Sequence, residues 1–194
     1  YMLNNDINDK DNMSNFMLQY LAADGSIYDK NVLRKSLFHR IYSCIRDNSF
    51  NNLFGLDLIR GETRQSYAAL LSINSLPKIN YNEFIVLQDN IKKYIQDLGW
   101  DIPWRACSNF GHLIFFIKIN SIVNNSNQTE VINNCFKYVN ENYKQIDGTW
   151  SSTMDIPIHQ KINGAMKMLV ALKTAGIDEF DDSIRDAATD EQQV

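Results

Sequence analysis

Three histidines and a handful of carboxylates and side-chain amides carry whatever chemistry this chain can do. His159 follows Asp155 by four residues, a spacing that suits an acid–base pair at the mouth of a cavity, and His112 lies in a strongly apolar run. His112, His159 and Asp155 are the candidate catalytic groups. A histidine among apolar residues is more often a hydrogen-bonded core or cavity-lining group than a catalyst, and His39, next to Phe38, reads as a surface or boundary position. Asp101, Arg105, Asn109, His112 and Asn163 place polar groups at or just inside helix entrances and are the candidate ligand contacts. A buried amide must find a partner, so Asn109 and Asn163 either tie helices together or face a water-filled cavity. Glu62 and Arg64 stand at the corresponding entrance of an earlier helix and read as a cap and a solvated cation.

Metal and phosphate chemistry find less support. Asp101, Cys107 and His112 supply zinc-ligand types, but the step from Cys107 to His112 turns them about 140° apart on a helix, so no metal is expected. Asp181-Asp182-Ser183-Ile184-Arg185-Asp186 lacks the spacing of a magnesium-binding aspartate motif and belongs to an acidic C-terminal segment that reads as solvated. No glycine-rich phosphate loop and no nucleophile elbow occurs, and the residues do not identify a cofactor, which is unknown from the sequence.

The elements that must position these groups repeat. Residues 80 to 119 and 127 to 173 read as two copies of one unit: a capped amphipathic helix, a glycine–tryptophan turn and an apolar helix. Asn80 and Asn127 each precede a Glu by three residues, a capping pattern. Phe84, Leu87, Ile91, Ile95 and Leu98 then fall at helical spacing, as do Val131, Ile132, Cys135, Val139 and Tyr143, giving each outer helix one dry side. After the turns, Asp101-Ile102-Pro103 and Asp155-Ile156-Pro157 lead into helices over 105–120 and 159–175, with proline at the entrance where it is tolerated. Those two helices are apolar nearly all round and are expected to form an interior layer.

The N-terminal third follows the same grammar. Met13, Phe16, Met17, Tyr20 and Leu21 predict a short helix ending at Asp24-Gly25; Val32, Leu33, Leu37, Ile41 and Ile45 predict an amphipathic helix over 29–46. Residues 47–61 read as a connection and 62–75 as the next helix, which pairs 29–46 with 62–75 as a first hairpin. In a second phase, Gln19 to Gly25 is an earlier turn and 29–46 an inner helix. Alternating outer and inner helices at a period of about fifty residues define a helical-hairpin array.

Composition fits one all-α domain over 1–194, with 1–11 and 187–194 expected to be flexible: 44% hydrophobic and 22% charged residues can build a core, and eight Gly and three Pro are few for a loop-rich β protein. No uncharged run reaches the roughly 18 residues of a bilayer span, so no membrane span is expected. Three cysteines without close pairing favour a reducing compartment, and the expected location is cytoplasmic. The net charge is −4, and Lys and Arg are scattered without a basic stripe, so nucleic acid is not an expected partner.

Gln145-Ile146-Asp147-Gly148-Thr149-Trp150 fits the Q-x-x-G-x-W core of the repeat found in terpenoid cyclases and, more loosely, in protein prenyltransferases. Gln96-Asp97-Leu98-Gly99-Trp100 resembles it with one residue missing. The resemblance covers about half the chain and implies hairpins of the α/α-toroid kind, in which Gln145 caps a helix and stacks on Trp150 as a structural pair. A chain of six to eight helices is short of a closed ring, which implies an arc or a fragment of a larger protein whose remainder would be one partner. The aspartate-rich D-x-D-D motif of proton-initiated cyclases is absent. The function expected from all this is a non-catalytic binding or interaction domain with a small-molecule or protein partner. The competing expectation is a toroid-type enzyme or enzyme domain acting on an isoprenoid-like or carbohydrate ligand.

Overall fold

A computed structural model of the chain describes residues 7–29, 31, 37–47, 55–82 and 90–177. The all-α expectation holds: the described residues contain no strand, only two isolated bridges, Leu21 with Ile27 and Lys144 with Trp150. Seven helices are described, α1 (Ile7–Leu18), α2 (Leu37–Asp47), α3 (Leu56–Ser72), α4 (Ile91–Gln96), α5 (Pro103–Val123), α6 (Thr129–Tyr143) and α7 (Ile158–Ala175). They fall into two compact units, 1–83 and 84–194.

The second unit is built on α5. Pro103 starts this helix, where its missing N–H costs nothing. Phe110, Leu113, Ile114, Phe116 and Ile119 are then all buried, as expected of an interior helix. By length and composition α5 is the one described helix that could cross a bilayer, but it is packed as a core helix. One neighbour is α7. A Cβ on Gly164 would lie 2.8 Å from the Pro103 Cβ, and one on Gly111 3.7 Å from the Ala171 Cβ, so contacts advance along both helices together and the pair runs parallel. On another side Phe136 of α6 meets Phe110 edge-on at 5.1 Å. Helix α6 behaves as an outer helix: it buries Ile132, Cys135, Phe136 and Val139, and the Asn127 side chain accepts the Thr129 N–H at 2.9 Å at its entrance. The outer helix expected over 84–98 is described as α4 and its C-terminal turn; Phe84 and Leu87 lie outside the described residues.

The expectation for the last inner helix needs correction. Helix α7 packs Gly164, Met168 and Ala171 against its own unit, but Ile158, Ile162, Met166 and Val170, four apart along the opposite side, are each about half exposed. Among the described residues of its own unit it is an edge helix, and this apolar face is exposed. The cause is positional: α5 covers one flank, and among the described residues no helix covers the other.

In the first unit, α3 begins at Leu56, not near 62, with Gly55 in the left-handed region at φ 72°. The supposed connection 47–61 therefore contributes its last turns to this helix, and Glu62 and Arg64 sit inside it instead of at its entrance. Helix α3 buries Arg60, Thr63, Tyr67 and Leu70 along one stripe. Helix α2 also departs from expectation: Ile41 and Ile45, predicted on its dry side, are exposed. Of the ends expected to be flexible, 7–11 belong to α1, whereas 1–6 and 187–194 lie outside the described residues.

Candidate functional site

The turns are where the sequence motifs lie, and each unit holds one of the same construction. In the second unit Gln145 N–H donates to Thr149 O at 2.8 Å and Gly148 N–H to Gln145 O at 3.0 Å. The Asp147 carboxylate accepts the Thr149 N–H at 3.0 Å and hydroxyl at 2.6 Å. Residues 21–27 reproduce this arrangement 123 positions earlier in the sequence. Ala22 N–H donates to Ser26 O at 2.8 Å, Gly25 N–H to Ala22 O at 3.0 Å, and Asp24 accepts from Ser26 N and Oγ at 3.0 and 2.6 Å. Gly25 and Gly148 share φ near 80°, 81° and 79°. The recurring element is Asp-Gly-Ser/Thr between bridged residues, and Trp150 is replaced by Ile27 in the first copy.

The first turn docks on α3. Ile27 N–H donates to Thr63 Oγ1 at 3.1 Å, Tyr67 Oη lies 2.9 Å from Gly25 O and 3.2 Å from Ile79 O, and Asn82 N–H donates to Asp24 O at 2.9 Å. Burial, and then the charge of Asp24, push the Tyr67 phenol up to about 12, so it serves as a neutral hydroxyl donor. The second phase open in the sequence sets a turn at Gln19 to Gly25; the structure has a turn over residues 21–27, and it is α3 that receives it.

The second turn is tied to its neighbours through tryptophan. Trp150 is buried and donates Nε1–H to Asn140 Oδ1 at 2.8 Å, with Lys144 Nζ 5.9 Å from its ring centroid. The Gln145 amide donates to Ser151 O at 2.6 Å and lies 3.4 Å from Tyr143 O, the end of α6. Trp100 stacks on Tyr143 at 4.3 Å and donates to Ile95 O at 2.8 Å; its own carbonyl accepts Ser152 N–H at 2.9 Å, joining the two turns. Lys161 at the start of α7 pairs with Asp147 at 2.7 Å. Burial alone would raise the Asp147 carboxyl, but hydrogen bonds from Lys161 and Thr149, with the ammonium charge, hold it below the ordinary carboxylate range.

The nominated chemical residues separate into two groups. Asp101 and Arg105 both reach over Gly99, whose added Cβ would lie 3.3 Å from the Asp101 carboxylate and 2.8 Å from the Arg105 guanidinium. Arg105, Asn109 and His112 are spaced by four and three along α5, share one side of it and are half-buried. Asp155 and His159 are exposed near the start of α7, and Asn163 is half-buried on it. Because Gly164 is level with Pro103, His159 projects beyond the start of α5, and about 20 Å of helix length separates it from His112. His112 and His159 do not share a site. Cys107 is buried with its thiol pushed up by desolvation to about 12, which disfavours a free thiolate nucleophile near neutral pH. Among the described residues no three His, Cys, Asp or Glu side chains come together as a metal site. The His39 side chain and Asp181 to Asp186 lie outside the described residues.

Sequence reasoning missed a cavity in the second unit. Between α4 and α6 lies a space of about 300 Å³ lined by Ile91, Ile95, Val131, Cys135 and Tyr138 with Lys92 and Asn134 at its polar edge. Gln96 Nε2 donates to Tyr138 Oη at 2.8 Å and Lys92 Nζ stands 5.0 Å from the Tyr138 ring centroid. The signal was the shared dry side of two outer helices, which reads as core until their separation is seen. Comparisons with protein families, with curated proteins and with solved structures each found no match.

Proposed function

We propose that this chain is a non-catalytic binding or interaction domain built from toroid-like helical hairpins, and that the free side of α7 is its working surface. The observation that carries this reading is the exposed stripe Ile158, Ile162, Met166 and Val170, opposite the face that packs on α5. An edge helix with a continuous apolar stripe matches what stacked hairpins use to receive a neighbour. The partner suited to it is another helix with small and aliphatic residues, continuing the α5–α7 packing. The separation of His112 from His159 weakens the enzyme reading, which would need them in one cavity.

The two readings predict different behaviour from Asn109, His112 and His159. Under the binding reading Asn109→Ala and His112→Ala leave packed polar groups unpaired and cost about 1–3 kcal/mol each, while exposed His159→Ala changes stability by less than about 0.5 kcal/mol. Thermal unfolding of the three variants, beside a screen of the parent protein with isoprenoid diphosphates, oligosaccharides and zinc, makes the comparison. A ligand that raises the parent's midpoint, with the rise lost in a stable Asn109 or His112 variant, would replace the binding reading with the enzyme reading.

A further inference from the structure

The cavity between α4 and α6 combines a dry floor with a polar rim. Ile95 and Cys135 are buried in its floor, Ile91 and Val131 are half-buried beside them, and desolvation pushes the Cys135 thiol up to about 12. At the rim, Gln96 Nε2 donates to Tyr138 Oη at 2.8 Å and bridges the two helices, while the Lys92 ammonium stands 5.0 Å from the centroid of the same ring. The lining sets the class of molecule that fits. The floor offers aliphatic groups and a weakly polar thiol, so the body of a ligand there must be apolar. Lys92 brings three donors and no acceptor, and Asn134 adds an amide, so the head of that ligand must accept hydrogen bonds; a carboxylate gains most from the ammonium. Size narrows the choice further. The space of about 300 Å³ is at the small end for ligand pockets. At roughly 30 Å³ for each group the size of a water or a methylene, it takes about ten heavy atoms and excludes a long acyl chain. We propose that this cavity binds a short aliphatic carboxylate, its chain against Ile91, Ile95, Val131 and Cys135 and its head at Lys92. The described lining comes from α4 and α6 and none of it from α7, so the inference does not rest on the reading of α7.

Isothermal titration of the full chain with octanoate, kept below its micelle-forming concentration, tests it. Saturable binding at a single site per chain is expected, with octanol and octyltrimethylammonium weaker by about threefold or more because neither brings an anion to Lys92. Lys92→Gln, at an exposed position, is expected to weaken octanoate binding by about threefold or more and to leave octanol unchanged. Val131→Phe adds bulk to the cavity wall and is expected to weaken both octanoate and octanol by about tenfold or more. Met166→Ser, at an exposed apolar position on α7, serves as the control and is expected to bind like the parent. Circular dichroism of each variant establishes that the helices persist; should Val131→Phe unfold, Lys92→Gln carries the comparison. Absence of saturable octanoate binding, equal affinity for octanoate and the other two amphiphiles, or octanoate binding that Lys92→Gln or folded Val131→Phe shares with the parent would overturn the proposal. So would loss of binding in Met166→Ser, because the chain would then adsorb on the exposed side of α7.

Discussion

Trp150 shows how one side chain serves two elements. Its ring fills the space behind the turn while its N–H reaches back to Asn140, so truncation leaves both a cavity and an unpaired amide. Trp150→Ala is expected to cost about 3–5 kcal/mol in a urea denaturation, and an unchanged midpoint would contradict the structural role. Asp147 makes the complementary electrostatic prediction. Its carboxyl is held below the ordinary value of 3.8, so its contribution to stability is fully present above that value and is lost as pH falls through the lower folded-state value. Asp147→Asn should therefore flatten the decline in melting temperature on acidification below about pH 4, and the check is a pH series of melts on both proteins. An equal acid slope in the two would mean that the Lys161 and Thr149 contacts do not stabilise the charged carboxylate.

At the scale of elements, two glycines on the α5–α7 contact separate close approach from mere smallness. A Cβ at Gly164 would stand 2.8 Å from the Pro103 Cβ and 3.1 Å from its carbonyl carbon, whereas one at Gly111 would make ordinary contacts at 3.7 and 3.9 Å. Gly164→Ala is expected to destabilise by about 1–3 kcal/mol through overpacking. Gly111→Ala should be neutral or stabilising by up to about 1 kcal/mol, because alanine is the better helix former. Thermal melts of the two variants decide it, and similar effects at both positions would argue against the parallel register of α5 and α7. Much of this layer was legible in the sequence: the apolar run of α5, the one-sided pattern of α6 and the Asp-Ile-Pro entrance each place an element to within a few residues. What the sequence hid was orientation. An apolar stripe states that a face is dry in some environment but not which environment, so the exposed faces of α2 and α7 read as core. The first Asp-Gly-Ser turn was visible only as a turn, because Ile27 replaces the tryptophan that marks the second. Of the candidate site, helical spacing predicted the alignment of Arg105, Asn109 and His112, but the distance of His159 from them depends on the stagger between α5 and α7, which no local pattern encodes.

At the scale of the whole molecule, repeated turn chemistry stands beside exposed apolar helix faces. The described helices and turns bury Trp100, Trp150, Tyr67 and the α5 core, and the polar groups considered for catalysis are spread over separate places on α5 and α7. The proposed working surface is the outer side of α7, exposed among the described residues of its unit. The most direct test is the urea midpoint of Ile162→Lys/Met166→Lys set beside that of Met168→Lys, since Met168 is fully buried on the α5 side. A lysine forced into that contact must bury a charge and is expected to cost more than about 3 kcal/mol, while the exposed pair should change stability by less than about 1 kcal/mol in total. A loss from the exposed pair as large as that from Met168→Lys would contradict the account, because the outer side of α7 would then belong to the chain's own core.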